Sequence, residues 1–177
     1  MTRSTLIRWV GCVLVTLLSA IALFQPDTIA AALCAGGEQL AVDAVLSIGE
    51  GGGGDKYGYT ELGQPKYPRK RFFDEIVAAM NRGGQFVPIF NDKHLGPVWS
   101  DAKSMYDQAQ RLEIPFMAGS SLPISFRTPS VTLPWKSRVE SCVAVGYSGL
   151  DVYGFHTLDF MQSILERRDG AETGVRS

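Results

Sequence analysis

The sequence predicts an α/β fold built on a small parallel sheet, and three observations carry that expectation. Short apolar runs alternate with amphipathic segments in the order strand, helix, strand, helix, strand. The segments between the runs are long enough to supply the crossover helices that parallel strands need. Polar and ionisable residues gather where an apolar run ends, and the loops at that edge of an open α/β sheet form its ligand crevice.

Each element follows in order. Asp27 or Thr28 caps a short helix through Leu33, closed by Gly36 and Gly37. Residues 42–48 read as a buried strand, with Val42, Ala44, Val45, Leu46 and Ile48 apolar and Asp43 at its entry. Residues 49–67 form a long loop with Gly, Pro and Tyr but no periodicity, a kind of loop that is often functional. Phe72, Phe73, Ile76, Val77 and Met80 recur at helical spacing, and Gly83-Gly84 supply a left-handed cap. Residues 85–90 are the second strand. Ser100 caps a helix whose face is Ala102, Met105, Tyr106, Ala109 and Leu112. Residues 114–118 are the third strand, ending at Gly119-Ser120-Ser121.

Beyond Arg127 the character changes. Residues 128–134 are a Pro-bounded extended linker, 139–147 a strand, and 155–167 a helix with a broad apolar surface. Three segments result: an apolar leader at 1–25, an α/β domain at 27–127, and a truncated α+β appendage at 128–177. There are no internal repeats.

At 177 residues, 45% apolar and 20% charged, the chain can bury a sizeable core and is not disordered as a whole. A net charge of −1, with both signs interspersed, lacks the basic footprint of a nucleic-acid binder. Arg69-Lys70-Arg71 is the tightest basic cluster and reads as a solvated turn at a helix start. Cys12, Cys34 and Cys142 share no metal or redox spacing and read as small buried apolar residues. Arg3 and Arg8 precede the uncharged run 9–24, which Pro26 ends. That run is shorter than the roughly 20 residues of a comfortable membrane span. It fits a signal peptide, with Ala20-Ile21-Ala22 as a cleavage site, or a membrane anchor; a buried helix or strand is the plainer alternative. An exported or anchored protein follows from the first reading and a cytoplasmic one from the second.

Two polar clusters carry chemistry. Asn91-Asp92-Lys93-His94 follows the apolar run 86–90, at the carboxyl end of a strand. An ammonium there can hold a ribose or polarise a carbonyl, and Asp92 can orient Lys93; ordinary loop charges are the plain alternative. His156 lies near a helix N-terminus, where the dipole favours a neutral imidazole able to accept a proton. Asp159, three residues on, shares its helical face and can hydrogen-bond it; a capping or packing histidine is the plain alternative. The run Gly51–Gly54 has no strand–Gly-x-Gly-x-x-Gly–helix frame, so a flexible loop outweighs a phosphate cradle. Ser120 and Ser121 have no G-x-S-x-G frame and no evident base. Two histidines with scattered carboxylates give no metal spacing.

With these residues in view, four stretches resemble, in order, the glucose–fructose oxidoreductase / inositol dehydrogenase family of NAD(P)-dependent enzymes. Val42-Asp43-Ala44-Val45-Leu46, after a helix, looks like that family's "iDaVii" strand. Asp92-Lys93-His94 falls where the family has Glu-Lys-Pro. Phe116-Met117-Ala118-Gly119 through Arg127 is similar to the strand and arginine that close its dinucleotide domain. Gly149-Leu150-Asp151-Val152-Tyr153-Gly154-Phe155-His156-Thr157-Leu158-Asp159 looks like its G-x-L-x-D-x-G-x-H-x-L-D.

The resemblance implies a Rossmann-like, three-layer parallel sheet, incomplete here, and NAD or NADP as cofactor. It implies Asp92 and Lys93 beside the nicotinamide, His156 as general base, Lys93 as oxyanion stabiliser, and Arg127 and Asp159 beside a sugar or polyol. Lys93 and His156 are then expected to meet across one cleft. The departures are specific. The family's glycine fingerprint is missing and the leader stands in its place; Val152, not Asp151, occupies the aspartate position; and His94 replaces proline. The stretch between Arg127 and Gly146 is short, and the family's large open sheet is lacking. The chain reads as the middle of a longer protein or a reduced descendant.

The expected function is an oxidoreductase-like protein, incomplete or inactive alone. The alternative is a non-catalytic ligand- or partner-binding module, exported or membrane-anchored. Expected partners are a sugar or polyol, a membrane through the leader, and a second copy through an open sheet edge.

Overall fold

The computed structural model describes residues 29–35, 37–49 and 53–174. The leader, Asp27, Thr28 and Gly36 lie outside these, as do Gly51 and Gly52 of the glycine run. Among the described residues no helix is long and apolar enough to cross a membrane. The chain is mixed α/β with a small three-stranded parallel sheet. It divides into two compact units between Ala118 and Gly119.

In the first unit, α1 (Ile29–Leu33) leads to β1 (Val45–Ser47), α2 (Gly53–Tyr57), α3 (Arg69–Gly83), β2 (Ile89–Asp92), α4 (Trp99–Arg111) and β3 (Phe116–Gly119), whose last residue opens the second unit. The strand order is β1-β2-β3, with Val45 opposite Ile89 and Ser47 opposite Asn91. Helix α3 forms because its apolar residues repeat on one face: Phe72, Phe73, Ile76, Val77 and Met80 are all buried. Fully burying such a side chain stabilises the fold by roughly 2 kcal/mol. They join Ile29, Leu33, Val45, Ile89, Met105, Ala109 and Ile114 in one core. Gly84, at φ 65°, ends α3, its N–H donating to the carbonyls of Asn81 and Met80.

Several elements differ from expectation for physical reasons. Only Val45–Ser47 of the first run pairs, and Ala44 is exposed. The second strand starts one residue past Pro88, which has no N–H to give a ladder, and runs on through Asn91 and Asp92. The 49–67 loop holds structure of its own, the short α2 and a turn whose limbs meet at an antiparallel Tyr59–Pro65 bridge. Helix α4 starts at Trp99 with Val98 as its cap residue, so Ser100 does not cap it. Arg69, expected in a solvated turn, is 1% exposed, while Lys70 and Arg71 pair with Asp74 and Glu75 one turn on.

The second unit holds a 3₁₀ turn (Leu122–Ile124), a π-helical turn (Leu150–Gly154) and α5 (Phe155–Leu165). Residues 139–147 form no helix and join no ladder, and Val143, Val145 and Tyr147 are exposed. β-propensity expresses itself through cross-strand packing, and this segment has no strand partner among the described residues. Cys142, within it, is exposed rather than buried; Cys34 is half-buried.

Candidate functional site

At the carboxyl edge of the sheet, strand register sets two buried polar residues side by side. Ser47 ends β1 opposite Asn91 of β2, at 6% and 2% exposure. Asn91 is a clamp. Its amide nitrogen donates to the carbonyls of Asp92 (3.2 Å), Lys93 (3.3 Å) and His94 (3.2 Å), curling the chain just past the strand. Lys93 takes φ 69°, a left-handed conformation that costs a non-glycine residue about 1 kcal/mol. Its ammonium lies 2.8 Å from Asp92 Oδ2, and both side chains keep roughly a quarter of their surface in solvent. A guanidinium nitrogen of Arg69 stands 3.3 and 3.4 Å from the two ring nitrogens of His94, and Tyr67 lies 4.5 Å under the same group. A polar edge of fixed shape results, with an accessible donor and acceptor side by side.

In the second unit the polar residues knot around Ser120, the one buried residue among those described there. Its Oγ accepts the Leu122 N–H at 3.0 Å and lies 2.5 Å from His156 Nδ1. A neutral imidazole accepting there carries its proton on Nε2. Asp159 Oδ2 accepts the Ser120 N–H at 2.7 Å. Asp159 therefore fixes the serine backbone and is not the partner of the imidazole. Nor is His156 at a helix end: the π-helical turn runs directly into α5, so the amides ahead of His156 are already engaged, as in Tyr153 N–H to Gly149. The helix-dipole expectation fails for that reason.

The remaining expected positions fall as follows. Lys93 and Asp92 belong to the first unit; Arg127, His156 and Asp159 belong to the second. Arg127 donates to the Pro123 carbonyl at 3.3 Å and lies 5.2 Å over the Phe160 ring. It lines an apolar groove of about 500 Å³ with Leu122, Phe126, Val131, Leu133 and Ile164. Ser120 is the residue that sequence reasoning set aside for want of a base. Its imidazole partner comes from a helix 36 residues later, and only a three-dimensional contact reveals it. Among the described residues no three His, Cys, Asp or Glu side chains could share a metal ion.

The turn before α4 does not fit a dinucleotide pyrophosphate, and the glycine run after β1 lies partly outside the described residues. The turn before α4 has one glycine, Gly96, and Asp101 in the helix's first turn repels phosphate. Buried Gly49 packs closely on Phe72, whose ring an added Cβ would meet at 3.3 Å.

No family model matches the chain, and neither a curated protein nor a solved structure matches it.

Proposed function

We propose that the chain is an oxidoreductase-like protein related to the NAD(P)-dependent sugar and polyol dehydrogenases. It binds a polyhydroxylated small molecule at the carboxyl edge of a Rossmann-like sheet. The observation that carries this is the Lys93–Asp92 pair, held at the end of β2 by the Asn91 clamp. A vicinal diol is both donor and acceptor. An ammonium can donate to one hydroxyl oxygen while the neighbouring carboxylate accepts the other hydroxyl's proton. The sequential β1-β2-β3 order is compatible with one half of a doubly wound sheet, and that edge is where such sheets bind ligands. Turnover is not assigned to this chain, because the turn before α4 offers the cofactor no pyrophosphate cradle.

Fluorescence titration with NADH and NADPH, beside calorimetric titration with sugars and polyols, tests the proposal. The expected outcome is saturable binding of a polyol that needs no dinucleotide. Saturable dinucleotide binding would instead restore the full oxidoreductase expectation, and no binding of either kind would leave a partner-binding module.

A further inference from the structure

The Ser120–His156 pair does nothing in polyol binding at the sheet edge, yet it has the parts of an activated nucleophile. A serine hydroxyl is a weak nucleophile until a neighbouring base takes its proton, and the recognisable arrangement is a short hydroxyl-to-imidazole hydrogen bond. Here that bond is 2.5 Å. The Leu122 N–H donates to the same Oγ, and the Asp159 carboxylate on the Ser120 amide fixes the serine's position. The rings of Phe155 and Tyr153, centred 5.5 and 6.1 Å from that of His156, flank the imidazole.

The same two segments that hold the pair also build a place for an apolar chain. Leu122, whose amide touches Ser120 Oγ, lines the groove of about 500 Å³. Phe160 and Ile164 line it too, and they follow His156 at four and eight residues, on one stripe of α5. Neither Ser120 nor His156 lines the groove itself; Leu122, whose amide donates to Ser120 Oγ, joins the two. A volume of this size falls within the range of small-molecule sites. Arg127, the one charged residue in the lining, is engaged with the Pro123 carbonyl and the Phe160 ring. The rest of the wall is mostly apolar, with Ser125 and Thr128 as its polar members, and suits a hydrocarbon.

We infer that the second unit carries an acyl-transfer site, with Ser120 as nucleophile, His156 as its base and the adjoining groove as the acyl pocket. The substrate class is a medium-chain acyl ester. Ser120 Oγ bonds to the carbonyl carbon as its proton passes to His156 Nδ1. The carbon–oxygen bond to the alcohol then breaks, and the alcohol leaves with that proton. Water, deprotonated by the same nitrogen, hydrolyses the acyl-serine, giving the carboxylic acid and regenerating the serine. No cofactor enters the balance, so the site goes beyond the polyol proposal.

The test uses the full chain with a fluorophosphonate probe, peptide mapping, and 4-nitrophenyl acetate and octanoate. The probe should label Ser120, and octanoate should be hydrolysed at least tenfold faster than acetate. Ser120→Ala should abolish labelling and hydrolysis. His156→Gln should slow both by a hundredfold or more, in line with the usual worth of a general base. Ile164→Trp, which fills the groove while leaving the pair intact, should lower the octanoate-to-acetate ratio. That ratio keeps the test open if Ser120→Ala does not fold. Absence of label at Ser120 in folded wild-type protein would overturn the inference. So would hydrolysis by Ser120→Ala at the wild-type rate, or an unchanged chain-length ratio in Ile164→Trp.

Discussion

Asn91 spends its two N–H donors on three successive carbonyls, and by doing so it decides where Lys93 points. Asn91→Ala would leave those carbonyls short of donors in a site that is 2% exposed, so it should cost about 2 kcal/mol in urea denaturation. Lys93→Gly acts differently. It relieves a left-handed backbone at the expense of unfolded-chain entropy and one partly exposed ion pair, so stability should stay within about 1 kcal/mol of wild type while the amine is lost. Tyr59 offers a pH test. Its hydroxyl donates to Asp55 Oδ1 at 3.2 Å, and that bond, then the carboxylate's charge, raises its pKa above the ordinary 10.0. The raised value favours the folded state below the unfolded tyrosine's pKa, and the benefit is lost as pH climbs through the folded value. Asp55→Asn should bring the ultraviolet titration midpoint back down toward 10.0. The 91–94 cluster was legible because an apolar run pointed straight at it. Ser120 was not legible, since a serine declares itself only through a local frame or a spatial neighbour.

At the scale of elements, the helices were easier to read than the strands. Helix α3 combined a periodic apolar face with a glycine at its end, and both appear as read. Gly84→Ala would meet no atom within 4 Å, so its cost is the left-handed backbone alone, about 1 kcal/mol, seen as a lowered Tm. Strand extents depended on partners elsewhere in the chain. Pro88 trimmed the start of β2, and residues 139–147 carry strand-like residues with no ladder to join. The π-helical turn before α5 has no sequence signature of its own, and it undid the dipole expectation for His156.

Across the whole molecule, apolar burial is uneven. Among the described residues, the whole buried apolar core runs from Ile29 to Ile114. Among described residues from Gly119 onward only Ser120 is buried, while Phe126, Trp135, Val143 and Leu150 stand exposed. Composition showed enough apolar residues for a core but not where they would go, because burial depends on which faces find neighbours. Local stability should follow burial. Hydrogen–deuterium exchange should be slowest in α3, α4, β1 and β2, and fast across 125–147.

The ligand-binding claim rests on the sheet edge. The most direct measurement is calorimetric titration of the full chain with myo-inositol, sorbitol and glucose, alongside Lys93→Gly at matched Tm. Saturable binding of at least one of these by wild type, weakened tenfold or more in the variant, is the expected result. No saturable heat with any of them, or equal affinity in the two proteins, would contradict it.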